Sequence, residues 1–332
     1  MVKLFKRVPA QVQGLRGLTK LFESFNFKDF GDYAKKLRLG LKLSQGNVAR
    51  MSGLSVDTLR RIEQGKVIAR FDTLIILSEV YKTDLIDAYK NYSSSSILMR
   101  YYARLDKLIA MYNEETLINL RKDYEQFGKL HDNEPPIAYN SKKQFLLILD
   151  GLSEYYKGNL KKSRSLYVES MHLSNPLFSL QNYIDFQYTV LEKRILLLIA
   201  LSFSDDHDLL FANHLLEHLL DSLSLNQYTS FNEKILAIKI IANISYNYHT
   251  LYEDEKALDY ANRGIDFCIN NHITYALANL LARKGVAQHF LKDPNCKDTL
   301  QQAVNLMIIE NNHALAKKYI EITKEKYGIQ LQ

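Results

Sequence analysis

Between Phe30 and Tyr89 apolar residues recur at helical spacing in short runs, and a turn residue or a capping side chain stands at each break. Helices that short are marginal alone, so they must pack on one another. The stretch is thereby confined to a compact cluster of helices. Tyr33, Ala34, Leu37 and Leu41 mark the first helix, which closes at Gly40 and Leu43 and keeps a second face basic. Ser44 is placed to cap the next, whose Val48 and Ala49 point inward. In Met51-Ser52-Gly53-Leu54-Ser55, Gly53 suits the left-handed conformation of a tight turn and Ser55 suits the cap of a third helix. Leu59 and Ile62 hold that helix to the core and Gly65 ends it. Val56, Asp57, Thr58, Arg60 and Arg61 are left on its open surface, at the end that a recognition helix pushes into the major groove. A fourth helix, from about Phe71 to Val80, carries Phe71, Leu74, Ile75 and Leu77 as a lid, and Asp84-Leu85-Ile86 opens a short fifth.

Charge is distributed unevenly along the chain. Residues 1–70 carry 15 Lys or Arg against 5 Asp or Glu, a net of +10, whereas the other 262 carry 28 against 32, a net of −4. A basic head on a mildly acidic body is the electrostatic footprint of a nucleic-acid-binding domain joined to something that does not bind nucleic acid. In residues 1–29 Lys3, Lys6, Arg7, Arg16 and Lys20 alternate with Leu15, Leu18, Leu21, Phe22 and Phe25. That segment fits an amphipathic helix on the head, a dimer contact or an arm reaching phosphates. It has no continuous apolar region of the kind a secretory signal needs, and no run of 18 apolar residues occurs anywhere in the sequence. The expectation is a cytoplasmic protein without a membrane partner. Cys268 and Cys296 lie far apart in the sequence and belong to no Cys-rich cluster, which fits packing in a core under reducing conditions.

The string Leu37-Arg38, Leu43-Ser44-Gln45, Val48-Ala49, Gly53-Leu54-Ser55, Thr58-Leu59, Arg61-Ile62-Glu63 and Gly65-Lys66 resembles the lambda-repressor-like, or Cro/C1-type, helix-turn-helix family over about one fifth of the chain. The resemblance implies double-stranded DNA as a partner. It places Gln45 on a phosphate, Val56, Asp57, Thr58 and Arg61 at base edges, with Ser55 and Arg60 beside them, and Lys66 and Arg70 near the backbone. It also implies an ion pair of Arg38 with Glu63, structural in role, where two helices meet away from water. Gly46 stands in the first turn of the second helix where the family usually has Glu or Ala, a cost of about 1 kcal/mol in helix propensity. Ala69-Arg70 replaces the usual Pro-Ser before helix four. Asp57 repels phosphate and accepts only from a base donor such as cytosine N4, so it selects sequence more than it adds affinity.

Asn91-Tyr92-Ser93-Ser94-Ser95-Ser96 buries little and marks a boundary. The expected organisation is a basic segment at 1–29, the reader at 30–92, a linker at 93–98 and a repeat domain at 99–332. No stretch of the latter shows sustained strand alternation. Helical periodicity occupies segments near 103–130, 140–157, 160–173, 179–203, 207–224, 231–251, 254–270, 273–291, 297–309 and 312–326, with Pro135-Pro136, Asn175-Pro176 and Asp293-Pro294 in apparent loops. These segments pair into about five hairpins. Gly151, Gly158, Ser163, Tyr167 and Ser170, and later Ser245, Tyr248, Ala257, Ala261 and Gly264, resemble tetratricopeptide repeats, in which small residues let two helices cross closely. The fold class is therefore all-α, a helix-turn-helix domain followed by a right-handed superhelix of degenerate repeats whose concave face suits an extended peptide.

This domain order resembles the peptide-pheromone-responsive regulators of Gram-positive bacteria, the group of Rgg, PlcR and PrgX types. The resemblance implies a homodimeric transcription factor gated by a short signalling peptide. An extended peptide asks for side chains that both donate and accept, with a few cations. Asn243 and Asn247 lie one turn apart, Asn279 and Arg283 repeat that arrangement 36 residues later, Lys239 precedes by a turn, and Tyr246 offers an apolar wall. The same residues fit the convex face of these helices equally well. His214 and His218 have a metal-compatible spacing but no Glu in the H-E-x-x-H order, and the sequence has no Gly-rich phosphate loop, nucleophile elbow or Cys/His pair. No cofactor, no metal and no enzymatic activity are expected. Two other readings use the same domains: a prophage or plasmid repressor whose repeats serve oligomerisation or bind a protein antagonist, and an interaction protein whose repeats sequester a regulatory partner.

Overall fold

The computed structural model describes residues 26–92, 98, 100–105, 114–127, 136–223, 225–226 and 229–332. The expectations for residues 1–25 and for the serine run at 93–97 lie outside the described residues. Every regular element among the described residues is helical. The chain divides into two compact units, one ending at Lys143 and the other starting at Gln144.

In the head, α1 (Phe27–Gly40), α2 (Gln45–Ser52), α3 (Val56–Glu63), α4 (Phe71–Tyr81) and α5 (Leu85–Lys90) enclose one core of Phe30, Ala34, Val48, Leu59, Leu74 and Leu85 with their buried neighbours. Caps set the starts. The Asn26 side chain accepts from Asp29 N at 3.0 Å, Ser44 Oγ from Asn47 N at 3.1 Å, Ser55 Oγ from Thr58 N at 3.0 Å, and Asp84 from both Ile86 N and Asp87 N. Each such cap is worth about 1 kcal/mol. Gly53 takes a left-handed φ of 74° and closes α2. A Cβ on Gly31 would stand 2.5 Å from the Ile62 carbonyl oxygen, so α1 crosses α3 in backbone contact and the reading helix is seated directly on α1. Two of the four expected lid residues do not serve: Leu74 and Leu77 are buried, but Phe71 and Ile75 face solvent. They share the outer side of α4, one turn apart, while the inner side already fills the core.

Beyond the head, helical residues 100–105 pair with α6 (Glu114–Phe127), where the Tyr101 ring meets Tyr124 edge-on at 4.9 Å and Arg104 bridges Asp123 at 2.7 Å. Helix α7 (Pro136–Tyr156) carries the chain across the boundary, and the second unit continues through α8 (Leu160–His172), α9 (Val190–Asp205), α10 (Leu209–Asp221), α11 (Phe231–Thr250), α12 (Asp254–Asn270), α13 (Leu277–Phe290) and α14 (Cys296–Ile309) to α15 (His313–Tyr327). Pro136 opens α7 rather than lying in a loop, since proline at the first helical position loses no hydrogen bond. The periodic stretch near 179–203 is not one helix. A 3-10 turn at Tyr183–Asp185 interrupts it, and α9 starts where the Thr189 and Glu192 capping box fixes its first turn.

Consecutive helices of this unit pack as antiparallel neighbours, and α11 also touches both α9 and α13 directly. The alternate row, α10, α12 and α14, has less direct contact within itself, so the α9, α11, α13 layer is the tighter and inner one. Small residues make the crossings possible, as the repeat pattern requires. A Cβ on Gly151 would fall 2.4 Å from the Tyr167 ring, and one on Gly264 would fall 2.7 Å from Leu280. Ser163, Ser170, Ala257 and Ala261 are buried at the same crossings, and Ser245 Oγ donates to the Ala257 carbonyl at 2.7 Å.

The hairpin turns carry a repeat that residue types conceal. Gly158, His207, Tyr252 and Lys292 are all left-handed, and the next residue in each case sends its N–H back to the fifth carbonyl before it: Asn159 to Glu154, Asp208 to Phe203, Glu253 to Tyr248 and Asp293 to Gln288, at 2.9 to 3.0 Å. This is the Schellman closure of a helix end. Only the first of the four uses glycine. Cys268 is buried, which pushes its thiol up to about 11, whereas Cys296 is half-buried at the first position of α14 and is not packed in the core as expected.

Candidate nucleic-acid interface and inner repeat face

Two short helices joined by the Gly53 turn hold α3 so that its first residues project from the head. Val56, Asp57, Arg60 and Arg61 are exposed, and Thr58 is half-buried because its hydroxyl sits 2.9 Å from the capping Ser55 Oγ. Asp57 and Arg60 form an i, i+3 ion pair, each more than half exposed. Among the described residues Arg61 and Lys66 form no ion pair; together with Asp57, Arg60 and Gln64 they line an open basin of about 450 Å³. A smaller hollow of about 180 Å³ beside it is bounded by Thr58, Arg61, Arg70 and Thr73. Arg70 reaches Asp72 at 3.3 Å on the surface and occupies the N-cap of α4 without capping it. Replacing the usual Ser there removes a cap and supplies a cation beside the reading helix.

Behind α3 lies the expected ion pair. Arg38 Nε donates to Glu63 Oε1 at 2.6 Å, its Nη2 to Oε2 at 2.9 Å, and its Nη1 to the Leu43 carbonyl at 2.8 Å. Both side chains are buried. The hydrogen bonds that Arg38 donates to Glu63 hold the guanidinium pKa above its usual value against desolvation. Gln45 adds a third donor, Nε2 to Glu63 Oε2 at 2.8 Å, so the first residue of α2 is tied to the last residue of α3. Burial, with the Glu63 charge next, pushes the nearby Tyr81 hydroxyl up to about 12. Sequence reasoning missed Gln64 and Thr73. Both lie on loop-facing ends of helices, where no periodicity marks them.

On the repeat unit, Lys239, Asn243, Tyr246 and Thr250 of α11 follow at spacings of four, three and four, the pattern of one helix face, and Asn279, Arg283, Val286 and Phe290 of α13 follow at the same spacings. These two faces belong together: the Arg283 guanidinium lies 4.4 Å from the Tyr246 ring centre, and Lys239 Nζ lies 5.6 Å from that of Tyr275. Asn243 Nδ2 donates to the Lys239 carbonyl at 2.7 Å. Phe290 is ringed by His249, His289 and Tyr327 at 5.1, 5.4 and 5.8 Å. On α9, half-buried Leu191, Leu198 and Leu201 share a face and give the same layer an apolar strip.

The register inferred from sequence needs one correction. The left-handed turn residues Tyr252 and Lys292 are 40 positions apart, not 36, so Asn243 corresponds to Arg283 and Asn247 to Ala287. Asn247 lies in the core, where its amide donates to Asn213 Oδ1 at 2.9 Å and its oxygen accepts from Ser204. Each step of four residues rotates a helix position by about 40°, so two steps from Lys239 carry Asn247 off the open face and into the hairpin. His214 is exposed while His218 packs edge-on against Tyr183 at 5.3 Å, and no group of three or more metal-ligating side chains occurs among the described residues. Nor is any helix of the described residues long and apolar enough to cross a membrane.

Residues 35–87 match a helix-turn-helix family model, HTH_3. Comparison with curated proteins gives no sequence match. Among solved structures, the chain is similar to Bacillus thuringiensis PlcR in complex with the peptide PapR7 and DNA, at 16% identity and a TM-score of 0.68, over 88% of this chain and 99% of that one. It is also similar to the Streptococcus dysgalactiae SHP pheromone receptor Rgg2 at 16% identity and a TM-score of 0.59, over 90% and 100%, and to PrgX at 10% identity and a TM-score of 0.56, over 90% and 96%. The fold is that of these proteins, with a helix-turn-helix head and a helical-repeat body.

Proposed function

We propose that the chain is a sequence-specific DNA-binding transcriptional regulator, acting in the cytoplasm as a homodimer, whose DNA binding is gated by a short signalling peptide bound on the inner face of its repeats. The observation that carries this reading is the exposed α3 surface of Val56, Asp57, Thr58 and Arg61, capped by Ser55 and seated on α1 through the buried Arg38 and Glu63 pair. Arg61 serves base edges, Gln45 and Arg70 flank the backbone, and Lys66 adds phosphate attraction. The peptide half is supported by the α11 and α13 face, which offers the amides of Asn243 and Asn279, two cations and aromatic walls, and by the fold shared with a PlcR that holds the peptide PapR7 and DNA together. The chemistry is recognition without catalysis and asks for no cofactor.

Selection of binding sites from random duplexes, followed by fluorescence anisotropy at stated salt, tests the DNA half. Arg61→Ala is expected to cost about 1 to 3 kcal/mol on the selected site while leaving non-specific binding largely intact. Equal loss on every sequence would move Arg61 from bases to phosphate, and failure to enrich any site would defeat the reading.

A further inference from the structure

The inner layer of the repeat unit carries a charge that its surroundings do not. Residues 144–332 hold 18 Lys or Arg against 21 Asp or Glu, so this body is acidic on balance. Helix α13 nevertheless has Arg283 and Lys284 and no carboxylate, and the single carboxylate of α11, Glu233, is engaged at the helix start by Ser230 Oγ at 2.7 Å. Carboxylates close to the layer are already occupied: Asp254 by His249, Glu217 by the Tyr248 and Tyr260 hydroxyls at 2.8 and 3.0 Å, and Asp293 by Gln288 and Asn295. Among the described residues Arg283 forms no ion pair. It is held against the Tyr246 ring instead, a contact that orients a guanidinium without neutralising it.

From this we infer that the peptide bound here is anionic where it meets α13, with a carboxylate seated on Arg283 and drawn further by the field of Lys239. The inference rests on the peptide reading given above and names the chemistry of its ligand. A guanidinium presents paired donors that match a carboxylate, and the Tyr246 ring beneath Arg283 holds those donors in one orientation. Asn243 and Asn279 remain for the peptide backbone, and the Leu191, Leu198 and Leu201 strip takes apolar side chains. A chain terminus and an acidic side chain supply the same group.

Two random octapeptide pools distinguish the possibilities. One contains Asp and Glu and ends in a free carboxylate; the other omits both residues and is amidated. Each is passed over the immobilised full-length protein, and retained peptides are sequenced by mass spectrometry and remeasured singly. The first pool should yield binders that lose about tenfold or more in affinity when the responsible carboxylate is amidated, or exchanged for Asn or Gln, and when the protein carries Arg283→Gln. Arg283→Lys should recover part of that loss, and an unchanged helical circular dichroism spectrum and thermal midpoint for both variants exclude misfolding. Amidation of the terminus against exchange of the side chain identifies the source. Equally tight binders from both pools, or indifference to Arg283→Gln, would overturn the anionic ligand and leave the peptide reading standing. Retention from neither pool would defeat the peptide reading and this inference with it.

Discussion

The head seats its reading helix on a fully buried ion pair, whereas the repeat unit has fully buried neutral knots of amides and hydroxyls beside ion pairs that keep one partner partly exposed, Lys193 with Glu233 and Arg164 with Asp206. In the head one guanidinium holds both oxygens of Glu63 and the Leu43 carbonyl, with Gln45 adding a further donor. Between α9, α10 and α11 the corresponding knot is Asn247 with Asn213 and Ser204, and between α7 and α8 it is Gln144 with Ser170. The difference follows from what each region does. A reading helix must be held in one orientation, and a bidentate ion pair tolerates little angular error. Stacked hairpins need only register, which the neutral knots supply alongside the buried Glu192 that accepts from Ser174 and Asn175.

The contrast sets an order of effects. Breaking the head pair by Glu63→Ala leaves an uncompensated buried guanidinium and should cost about 3 to 5 kcal/mol. The expected readout is a separate early transition in urea unfolding and loss of DNA binding with the repeats still helical. Asn247→Ala should cost less, about 1 to 3 kcal/mol, because it strands only neutral groups on Asn213 and Ser204. Its loss should appear in the unfolding of the repeat unit and leave DNA affinity of the folded protein unchanged. If the two substitutions cost the same, the distinction between charged and neutral locks fails. The smallest effect is a gain. Gly46 is exposed in α2 and an added methyl would meet only Ser44 Oγ at 3.7 Å, so Gly46→Ala should stabilise the head by about 0.5 to 1 kcal/mol. A thermal melt that fails to rise would mean that glycine is needed there for contact with the nucleic acid.

The head was legible in the sequence because its signals are local. Ser44 and Ser55 cap, Gly53 and Gly65 turn left-handed, and the Arg38 and Glu63 pairing came from the family resemblance. Phe71 and Ile75 were misplaced because an apolar residue on a helix does not announce which side the core is on. In the repeats, helix positions were readable from periodicity, and the Gly151 and Gly264 crossings from small residues. The register was not, because the left-handed turns at His207, Tyr252 and Lys292 lack the glycine that would have given the phase. Without that phase the sequence puts Asn247 on the open face and does not mark Phe290 or Tyr275.

The most direct measurement is the affinity of the intact protein for its selected DNA site, by fluorescence anisotropy at one fixed salt concentration, with and without a peptide retained by the repeat face. A ligand shifts this equilibrium only by its differential affinity for the two states, so a change of about 5- to 150-fold, in either direction, is the expected result. A specific DNA complex whose affinity stays the same at saturating peptide would contradict the claim that the inner face of the repeats governs the head.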